Sequence, residues 1–346
     1  MKLTSIVVII LSLYMITFTS CSTSSITMKV LVPAQITVPS NIKSIVVTNR
    51  SLPGKGEKFN NILEGVLTGE GIQVDREASF RCVDGVADVL VSSPRYTVKV
   101  PSNLDLRGLG TAQWPAPLEW NEVEQICKDN DVDALIALEI FDSNTGVRYS
   151  THEAKKKVGD KEVPYTEHKA TMDIGIMAGW RIYDPRNQSI VDQNIFTDHK
   201  FWYAVGEKQD QAYGRLPAQR ACIIEAGKFA GSQYGIRISP VWVSVSRSYY
   251  TKGTDDFETA KLKVRANEWS EAAEIWQKNI SNSDPKIAGR ATYNMALACE
   301  VDGKLDLAID WAKKSYTELK NKSARSYMNT LTQRQADQQK LNQQME

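Results

Sequence analysis

Residues 134–141 read ALIALEIF, and this near-continuous apolar run decides how the neighbouring segments must be arranged. A run of about eight apolar residues that follows a helix is typical of a strand buried on both faces. The preceding helix is predicted to break at 129–131 and is indicated by apolar residues at helical spacing, namely Leu118, Trp120, Val123, Ile126 and Cys127. We therefore expect a central strand in a domain that combines helices with a sheet.

Further helices and strands are predicted on both sides of this run. Alternation of apolar residues indicates the strands, apolar residues at every third or fourth position indicate the helices, and Gly and Pro mark turns. The predicted strands lie within 29–49, at 72–75, within 76–100, and at 167–183, 189–202 and 235–249. The predicted helices lie at 59–67, within 76–100 and at 215–232. A Lys-rich loop with a turn at 159–160 is predicted after residue 151, and a tight hairpin turn is predicted at 184–187. This order predicts an α+β protein that begins with a mixed α/β sandwich containing some antiparallel strands.

After residue 254 the pattern changes to helices alone. EAAEIWQKNI at 271–280 resembles LAIDWAKKSY at 307–316, with a separation of 36 residues. Tetratricopeptide repeats have a similar period, of about 34 residues, and use small side chains to let paired helices approach closely. The residues that fit the repeat pattern are Ala260, Ala272, Trp276, Ala296, Gly303 and Ala308. An unrelated helical bundle is the alternative.

The first residues resemble a bacterial lipoprotein signal. Lys2 is the only charge before residue 29, residues 3–18 are mostly apolar, and Cys21 precedes a Ser/Thr-rich stretch. The resemblance implies that Cys21 is lipidated and becomes the first residue of the mature chain. It also implies an outer-membrane protein, and the lack of an acidic run after Cys21 favours the periplasmic side. A cleaved signal or uncleaved anchor with an incidental cysteine is the alternative.

These patterns predict four segments with different roles. They are a lipoprotein signal peptide at 1–20, a mixed α/β domain at 21–250, helical repeats with a capping helix at 254–335 and a polar tail at 336–346. The tail is expected to fray, because it offers little apolar surface to bury.

Composition excludes several classes of function. The chain has 42 basic and 41 acidic residues, and this balance argues against a nucleic-acid partner, which requires a basic excess. The motifs GxSxG, HExxH and the Walker loop are absent from the sequence, and the cysteines and histidines lack zinc spacing. We therefore expect no enzymatic activity and no cofactor or metal. Buried free thiols are the default for the remaining cysteines, with a disulfide between Cys82 and Cys127 as the alternative.

Two groups of residues are candidates for a site. Glu139 lies within the apolar run, and an ion pair with Arg181 on a neighbouring strand would offset the cost of burying its charge. A carboxylate in a functional cleft is the other interpretation. Trp114 and Trp120 flank a Pro-rich loop and could stack on sugar rings if they are exposed, whereas a loop pinned to the core by its aromatic residues is the simpler interpretation.

The segments VDRE at 74–77, DALIALE at 133–139 and WRIYDPRNQSIVDQ at 180–193 carry a resemblance to known families. They resemble envelope lipoprotein domains of the curli-secretion type, the amino-terminal domain of the Tol translocation protein and penicillin-binding-protein activator lipoproteins. The whole chain is similar to Bacteroidota lipoproteins that pair such a domain with helical repeats. The resemblance brings no catalytic residues.

Together these features predict a non-enzymatic, lipid-anchored protein that acts in protein–protein interaction or assembly. Helical repeats present grooves that suit peptide or helix partners, so an unidentified envelope protein is the expected partner. Contact with the membrane is expected through the lipid anchor only. The alternative is a glycan- or small-ligand-binding lipoprotein that uses the mixed α/β domain.

Overall fold

The computed structural model describes residues 22–54 and 69–346. The strands are β1 (Thr23–Val32), β2 (Ser44–Asn49), β3 (Thr97–Lys99), β4 (Ala134–Val158), β5 (Lys161–Asp184), β6 (Ser189–Gly206) and β7 (Val241–Tyr250). The helices are α1 (Gly69–Ser92), α2 (Trp120–Asn130), α3 (Gln209–Gly214), α4 (Gln219–Ile238), α5 (Asp255–Arg265), α6 (Trp269–Asn279), α7 (Pro285–Val301), α8 (Leu305–Thr317) and α9 (Ser323–Met345). None of these helices is long and apolar enough to cross a membrane. The predicted signal peptide with Cys21 and the predicted helix at 59–67 lie outside the described residues.

The chain is an α+β protein, as predicted, and it divides into two compact units. The mixed unit comprises Leu31–Trp242 together with Lys340–Glu346. The helical unit comprises Val243–Gln339 together with the described residues up to Val30. A sheet domain followed by a helical module is thus confirmed, while the limits of the two units differ from the predicted boundaries.

The mixed unit is built on a five-stranded sheet in the order β3-β2-β4-β5-β6. β2 runs parallel to β3 and β4, whereas β4, β5 and β6 form an antiparallel meander. The run ALIALEIF forms the first part of β4, at the centre of the sheet, and all of its side chains are buried. A strand covered on both faces has no solvated side, which explains why its sequence shows no alternation.

The hairpin of β4 and β5 extends beyond the buried part of the sheet. The turn predicted at Gly159 and Asp160 is confirmed, and the φ of Gly159 is +62°. The sequence also predicts a Lys-rich loop from residue 151 to this turn, but β4 continues to Val158. Most side chains at this end are exposed on both faces. Polar residues are therefore as compatible with a strand here as with a loop, and the loop prediction is wrong for that reason.

Helices α1 and α4 pack closely through glycines. A Cβ atom on Gly227 or Gly231 of α4 would overlap a backbone oxygen of α1, that of Ala78 or Cys82 respectively. Glycine at this spacing therefore sets how near the two helices come. The short strand predicted at 72–75 is wrong, because those residues belong to α1, whose apolar residues at four-residue spacing are buried.

Helix α2 packs against another part of the sheet, as its apolar positions predict. Val123 and Ile126 are buried in one cluster with Leu135 of β4. The helix ends at Asp131, which has a left-handed φ of +49° and donates its backbone N–H to the carbonyl of Lys128. The predicted break at 129–131 is therefore confirmed.

The helical unit packs its helices around one apolar core. The repeat positions predicted from the sequence are buried with essentially no exposure, namely Ala260, Ala272, Trp276, Ala296 and Ala308. Gly303 lies between α7 and α8 with a φ of +75°, a conformation that glycine adopts without strain. The four alanines among them are small enough to let neighbouring helices approach closely, which is the property that the repeat pattern requires.

Strand β7 contributes to the core of the helical unit, although the sequence assigns it to the mixed domain at 21–250. Tyr249 of β7 is buried, and the centroid of its ring lies 6.2 Å from that of Trp276 in an edge-on contact. β7 pairs with β1, whose Ile26 packs against the same core. Most of both strands belongs to the helical unit, and Ile26, Tyr249 and Tyr250 are their contributions to its core.

The polar tail predicted at 336–346 is helical rather than frayed. Helix α9 continues to Met345, and Lys340–Glu346 belongs to the mixed unit. The buried amide of Gln344 accepts a hydrogen bond from the backbone N–H of Ala34 at 2.9 Å and donates to its carbonyl at 3.1 Å. A polar side chain can be buried when both of its hydrogen-bonding groups are used.

Candidate functional site

The predicted pair of Glu139 and Arg181 lies inside a buried polar cluster of the mixed unit. The Glu139 carboxylate accepts a hydrogen bond from the Tyr183 hydroxyl at 2.6 Å, and Arg181 Nη1 lies 3.8 Å from the same oxygen. The closer guanidinium is that of Arg50, whose Nη1 is 2.7 Å from the other carboxylate oxygen. The structure thus brings the predicted pair together and adds Arg50 and Tyr183, which the sequence analysis missed.

The backbone explains why these four side chains converge. Arg50 directly follows β2 and donates its N–H to the carbonyl of Leu138, which extends the ladder between β2 and β4. Arg181 of β5 lies opposite Ala137 of β4, and the register shifts between Leu138 and Ile140, next to Glu139. Bulges of this kind re-aim side chains. Tyr183 lies two residues after Arg181, and strand residues two apart share a face. This spacing is the local sequence signal that could have placed Tyr183 in the cluster.

Burial is the dominant electrostatic influence on this cluster. It raises the pKa of Glu139, although the Tyr183 hydrogen bond and the charges of Arg50 and Arg181 oppose the shift. Burial, together with the hydrogen bond to Glu139, raises the pKa of Tyr183 to about 12. The carboxylate is enclosed by its own donors, which matches the structural interpretation of the pair rather than a reactive carboxylate in an open cleft.

Trp114 and Trp120 lie over this same cluster and are half-buried. The Arg181 guanidinium lies 4.6 Å from the centroid of the Trp114 ring, and the rings of Trp120 and Tyr183 meet edge-on at 6.0 Å. Two arginine hydrogen bonds hold the loop between the tryptophans. Arg181 donates to the carbonyl of Pro115, and Arg50 donates to the carbonyl of Ala116. Both tryptophans thus pin a loop over buried charges, which is the simpler of the two interpretations.

The four cysteines within the described ranges are free thiols. Cys82 belongs to the core between α1, α4 and the sheet, whereas Cys127 belongs to the cluster under α2. Burial raises the pKa of Cys127 to about 12, which keeps its thiol protonated and unreactive at neutral pH. Over residues 22–54 and 69–346, no three His, Cys, Asp or Glu side chains are grouped so that they could hold a metal ion.

The helical unit carries an open apolar groove of about 530 Å³. Its walls come from the first turns of α6 and α8 and the last turns of α7. The apolar lining comprises Trp269, Ala273, Met295, Ala298, Cys299, Val301, Leu307 and Trp311. Leu307 is half exposed, while Asp302 and Lys304 form an exposed ion pair of 2.6 Å at the rim. We call this surface the tryptophan groove.

A second exposed surface lies on the mixed sheet. Phe201 and Tyr203 of β6 point to one face and are 55% and 67% exposed. His199 stacks on Phe201 at 6.1 Å and hydrogen-bonds to Asp173, while Lys169 lies 4.5 Å from the Tyr203 ring. This aromatic strip combines open rings with polar groups at their edges.

Two protein families match most of the chain. Residues 42–250 match a domain of unknown function, DUF8603, and this segment is more than half of the chain. The chain belongs to the DUF8603 family. Residues 258–333 match a second domain of unknown function, DUF6340. The DUF8603 segment ends with β7, so it includes a strand that the structure assigns mostly to the helical unit.

Comparison with individual proteins adds little. None of the curated proteins matches. A PelC dodecamer from Paraburkholderia phytofirmans matches with 10% identity and a TM-score of 0.25, over 62% of this chain and 99% of that one. A neuraminyllactose-binding hemagglutinin homolog from Helicobacter pylori matches with 12% identity and a TM-score of 0.25, over 59% of this chain and 84% of that one. Scores this low support no conclusion about fold or function.

Proposed function

We propose that this protein is a non-enzymatic, lipid-anchored envelope protein whose helical unit binds a segment of a partner protein. The tryptophan groove is the observation that supports the proposal. An exposed apolar surface costs free energy in water, and surfaces of this kind in soluble proteins mark interaction sites. Trp269 and Trp311 border it, and tryptophan is enriched among the residues that dominate binding energy.

The chemistry of the groove favours an amphipathic helix as its occupant. Met295 and Cys299 give the floor a soft, adaptable surface, and a volume of about 530 Å³ admits several apolar side chains of one helix face. Asp302 and Lys304 supply one charge of each sign at the rim, which suits the polar flank of such a helix. The lipid anchor at Cys21 and the periplasm-facing outer-membrane location are parts of the same proposal and rest on the signal sequence.

Leu307→Glu is expected to reduce capture of the partner about tenfold or more, because it places a charge in the apolar part of the groove. The measurement is photo-crosslinking in intact cells, with a photoreactive side chain at Ala273 on the opposite wall and with or without Leu307→Glu. The expected result is a crosslinked product of one defined mass whose yield Leu307→Glu lowers about tenfold or more.

Leu262 provides the matched control for this experiment. It is an exposed leucine of the same unit, 63% accessible, and it lies outside the groove. Leu262→Glu should leave the crosslinked product unchanged. Equal losses with the two variants, or no product that depends on Leu307, would contradict the proposed role of the groove.

Glycan binding by the mixed unit is the second candidate, and the aromatic strip is the observation that favours it. Aromatic rings that lie open on a flat sheet can stack on sugar rings, and the polar groups at their edges can hydrogen-bond to hydroxyls. Phe201 and Tyr203 are two residues apart on one strand, so their rings are about 7 Å apart along the sheet.

Tyr203→Ala tests this second candidate on a glycan array. We expect retention of the best-bound glycan to weaken by roughly 2- to 10-fold, the range for one lost ring contact. Tyr213→Ala is the matched control, because Tyr213 is also exposed but stacks on Tyr149 away from the strip. If the wild-type protein retains no glycan, or the two variants behave alike, this function is excluded for the strip.

A further inference from the structure

A dense group of basic side chains lines one end of the helical unit. Two adjoining cavities of about 510 and 690 Å³ share Lys320 and Lys322 in their walls. The cationic lining residues are Lys286, Arg290, Lys320, Lys322 and Arg325. Glu318 is the single carboxylate among the lining residues. We call this group the basic pocket.

These cations are not engaged by carboxylates in the part of the chain that the structure describes. No ion pair there involves any of the five, whereas Lys263 of the same unit lies within ion-pair distance of both Glu268 and Glu271. Arg290 instead donates to the carbonyl of Lys252 at 2.7 Å. Like charges held close together repel each other, so a bound anion would lower the free energy of the folded unit.

The loop after α8 holds the pocket in shape. The side chain of Asn321 donates to the carbonyl of Gly289 in α7 at 3.2 Å and accepts a hydrogen bond from the Tyr250 hydroxyl at 3.2 Å. Lys320 and Lys322 flank Asn321, so these contacts place both lysines beside α7 without using their charges. A Cβ atom on Gly289 would lie 3.3 Å from the Cβ of Leu319, which shows how closely the loop approaches the helix.

The start of the described chain lies beside the basic pocket. The carbonyl of Ser22, the residue after Cys21, accepts a hydrogen bond from the N–H of Thr251 at 3.0 Å. The two neighbours of Thr251 both contact Arg290 of the pocket: its guanidinium lies 5.2 Å from the ring centroid of Tyr250 and donates to the carbonyl of Lys252. One residue spans less than 4 Å, so a lipid on Cys21 would enter the bilayer close to these cations.

We propose that the basic pocket binds the phosphate groups of anionic lipid headgroups in the membrane to which Cys21 is attached. The inference rests on the lipid anchor of the proposed function and extends it, because membrane contact then includes the folded protein. Lysine ammonium groups bind phosphate as point charges without a fixed geometry, which suits headgroups that exchange at a fluid surface. Five cations beside one carboxylate supply more positive charge than is needed to neutralise the single carboxylate of a peptide ligand.

The test measures vesicle binding by the mature chain with Cys21→Ser, so that no acyl chain contributes. We expect co-sedimentation with vesicles of phosphatidylcholine and phosphatidylglycerol, little with phosphatidylcholine alone, and weaker binding as salt shortens the range of the electrostatic attraction. Lys286→Gln combined with Lys322→Gln should lower the affinity about 25-fold, at about fivefold for each charge removed. Lys278→Gln combined with Lys313→Gln is the control, because both lysines are exposed, outside the pocket and free of ion pairs among the described residues.

Three outcomes would overturn the proposal. They are equal binding to the two kinds of vesicle, equal affinity of the pocket variant and its control, and binding of inorganic phosphate in calorimetry without vesicle binding. The last outcome would identify a site for a soluble phosphorylated molecule or a phosphopeptide. The result is distinguishable from failure of the proposed function, because the crosslinking at the tryptophan groove and the labelling of Cys21 with palmitate are read separately.

Discussion

Replacing Arg50 with alanine is expected to lower the free energy of unfolding of the mixed unit by about 3–5 kcal/mol. The substitution removes the guanidinium nearest to the Glu139 carboxylate, at 2.7 Å, and leaves a charge that is 1% exposed with one hydroxyl donor and a more distant arginine. It also leaves the carbonyl of Ala116 without the Arg50 hydrogen bond, so the loop between Trp114 and Trp120 loses one of its two arginine contacts. Thermal unfolding and hydrogen exchange of peptides from β2 and β4 measure the effect.

Two further variants show whether the stranded charge is the cause. Arg50→Ala combined with Glu139→Gln should recover part of the loss, because a neutral amide costs less to bury than a carboxylate. Arg148→Ala is the control, since Arg148 pairs with Asp173 at 3.0 Å on an exposed surface and should cost no more than about 1 kcal/mol. Equal destabilisation by Arg50→Ala and Arg148→Ala would show that the Glu139 cluster is solvated.

The raised pKa of Glu139 gives this cluster a definite pH dependence. Burial places its pKa in the folded chain above the ordinary value of 4.5, so the unfolded chain releases the proton first as the pH rises. The contribution of this group to stability is therefore complete below pH 4.5 and is lost as the pH rises through the folded-state pKa. Glu139→Gln should remove this loss from the stability profile of the mixed unit.

The parts of this structure that could be predicted from sequence are those specified by neighbouring residues. The buried strand at 134–141, the break of α2 at 129–131 and the turn after Asp184 each follow from local periodicity or turn chemistry. The strand predicted at 72–75 failed because a stretch of four residues cannot distinguish a strand from part of a long helix.

The candidate site depends on contacts between residues far apart in the sequence, which local patterns do not specify. Glu139 was paired with Arg181 because a charge within an apolar strand is costly to bury unless a neighbouring strand supplies a partner. Arg50 was missed because it meets Glu139 only through the parallel pairing of β2 with β4, which joins residues that are 89 positions apart. Nothing in the residues around Arg50 marks that partnership. Similarly, the sequence around the polar residue Gln344 predicts a frayed tail. In the structure the backbone N–H and carbonyl of Ala34 both hydrogen-bond to the Gln344 amide, and this contact is not visible in the sequence.

The helical unit contains a second buried carboxylate, Glu300 of α7, with the same types of partner but the opposite titration. Arg247 of β7 contacts both of its oxygens at 3.0–3.1 Å, while Arg334 and the Tyr327 hydroxyl of α9 each lie 2.6 Å away. Burial alone would raise the pKa of Glu300, but these hydrogen bonds outweigh it and lower the pKa. Among residues 22–54 and 69–346, one guanidinium lies within hydrogen-bond distance of Glu139, and there burial prevails.

Replacing Glu300 with alanine should therefore destabilise the helical unit by about 3–5 kcal/mol, because two half-buried arginines lose their shared counter-charge. Such a loss corresponds to a midpoint roughly 15–25 °C lower for a unit of about 100 residues. Asp302→Asn, two positions along the chain, is the control, because its ion pair with Lys304 is exposed and contributes about 1 kcal/mol or less. Thermal unfolding of both variants, with hydrogen exchange of peptides from α7 and α9, gives the comparison.

The pH profile separates the charge of Glu300 from its packing. Its folded-state pKa lies below 4.5, so the stabilisation it provides is present above pH 4.5 and is lost as the pH falls through the folded-state value. Glu300→Gln keeps the shape of the side chain and removes the charge, so its stability should no longer fall with acidification in that range. A Gln variant as stable as the wild type at pH 7 would mean that shape rather than charge joins β7, α7 and α9. The expected loss at pH 7 would mean that one carboxylate holds two arginines from separate elements of the helical unit.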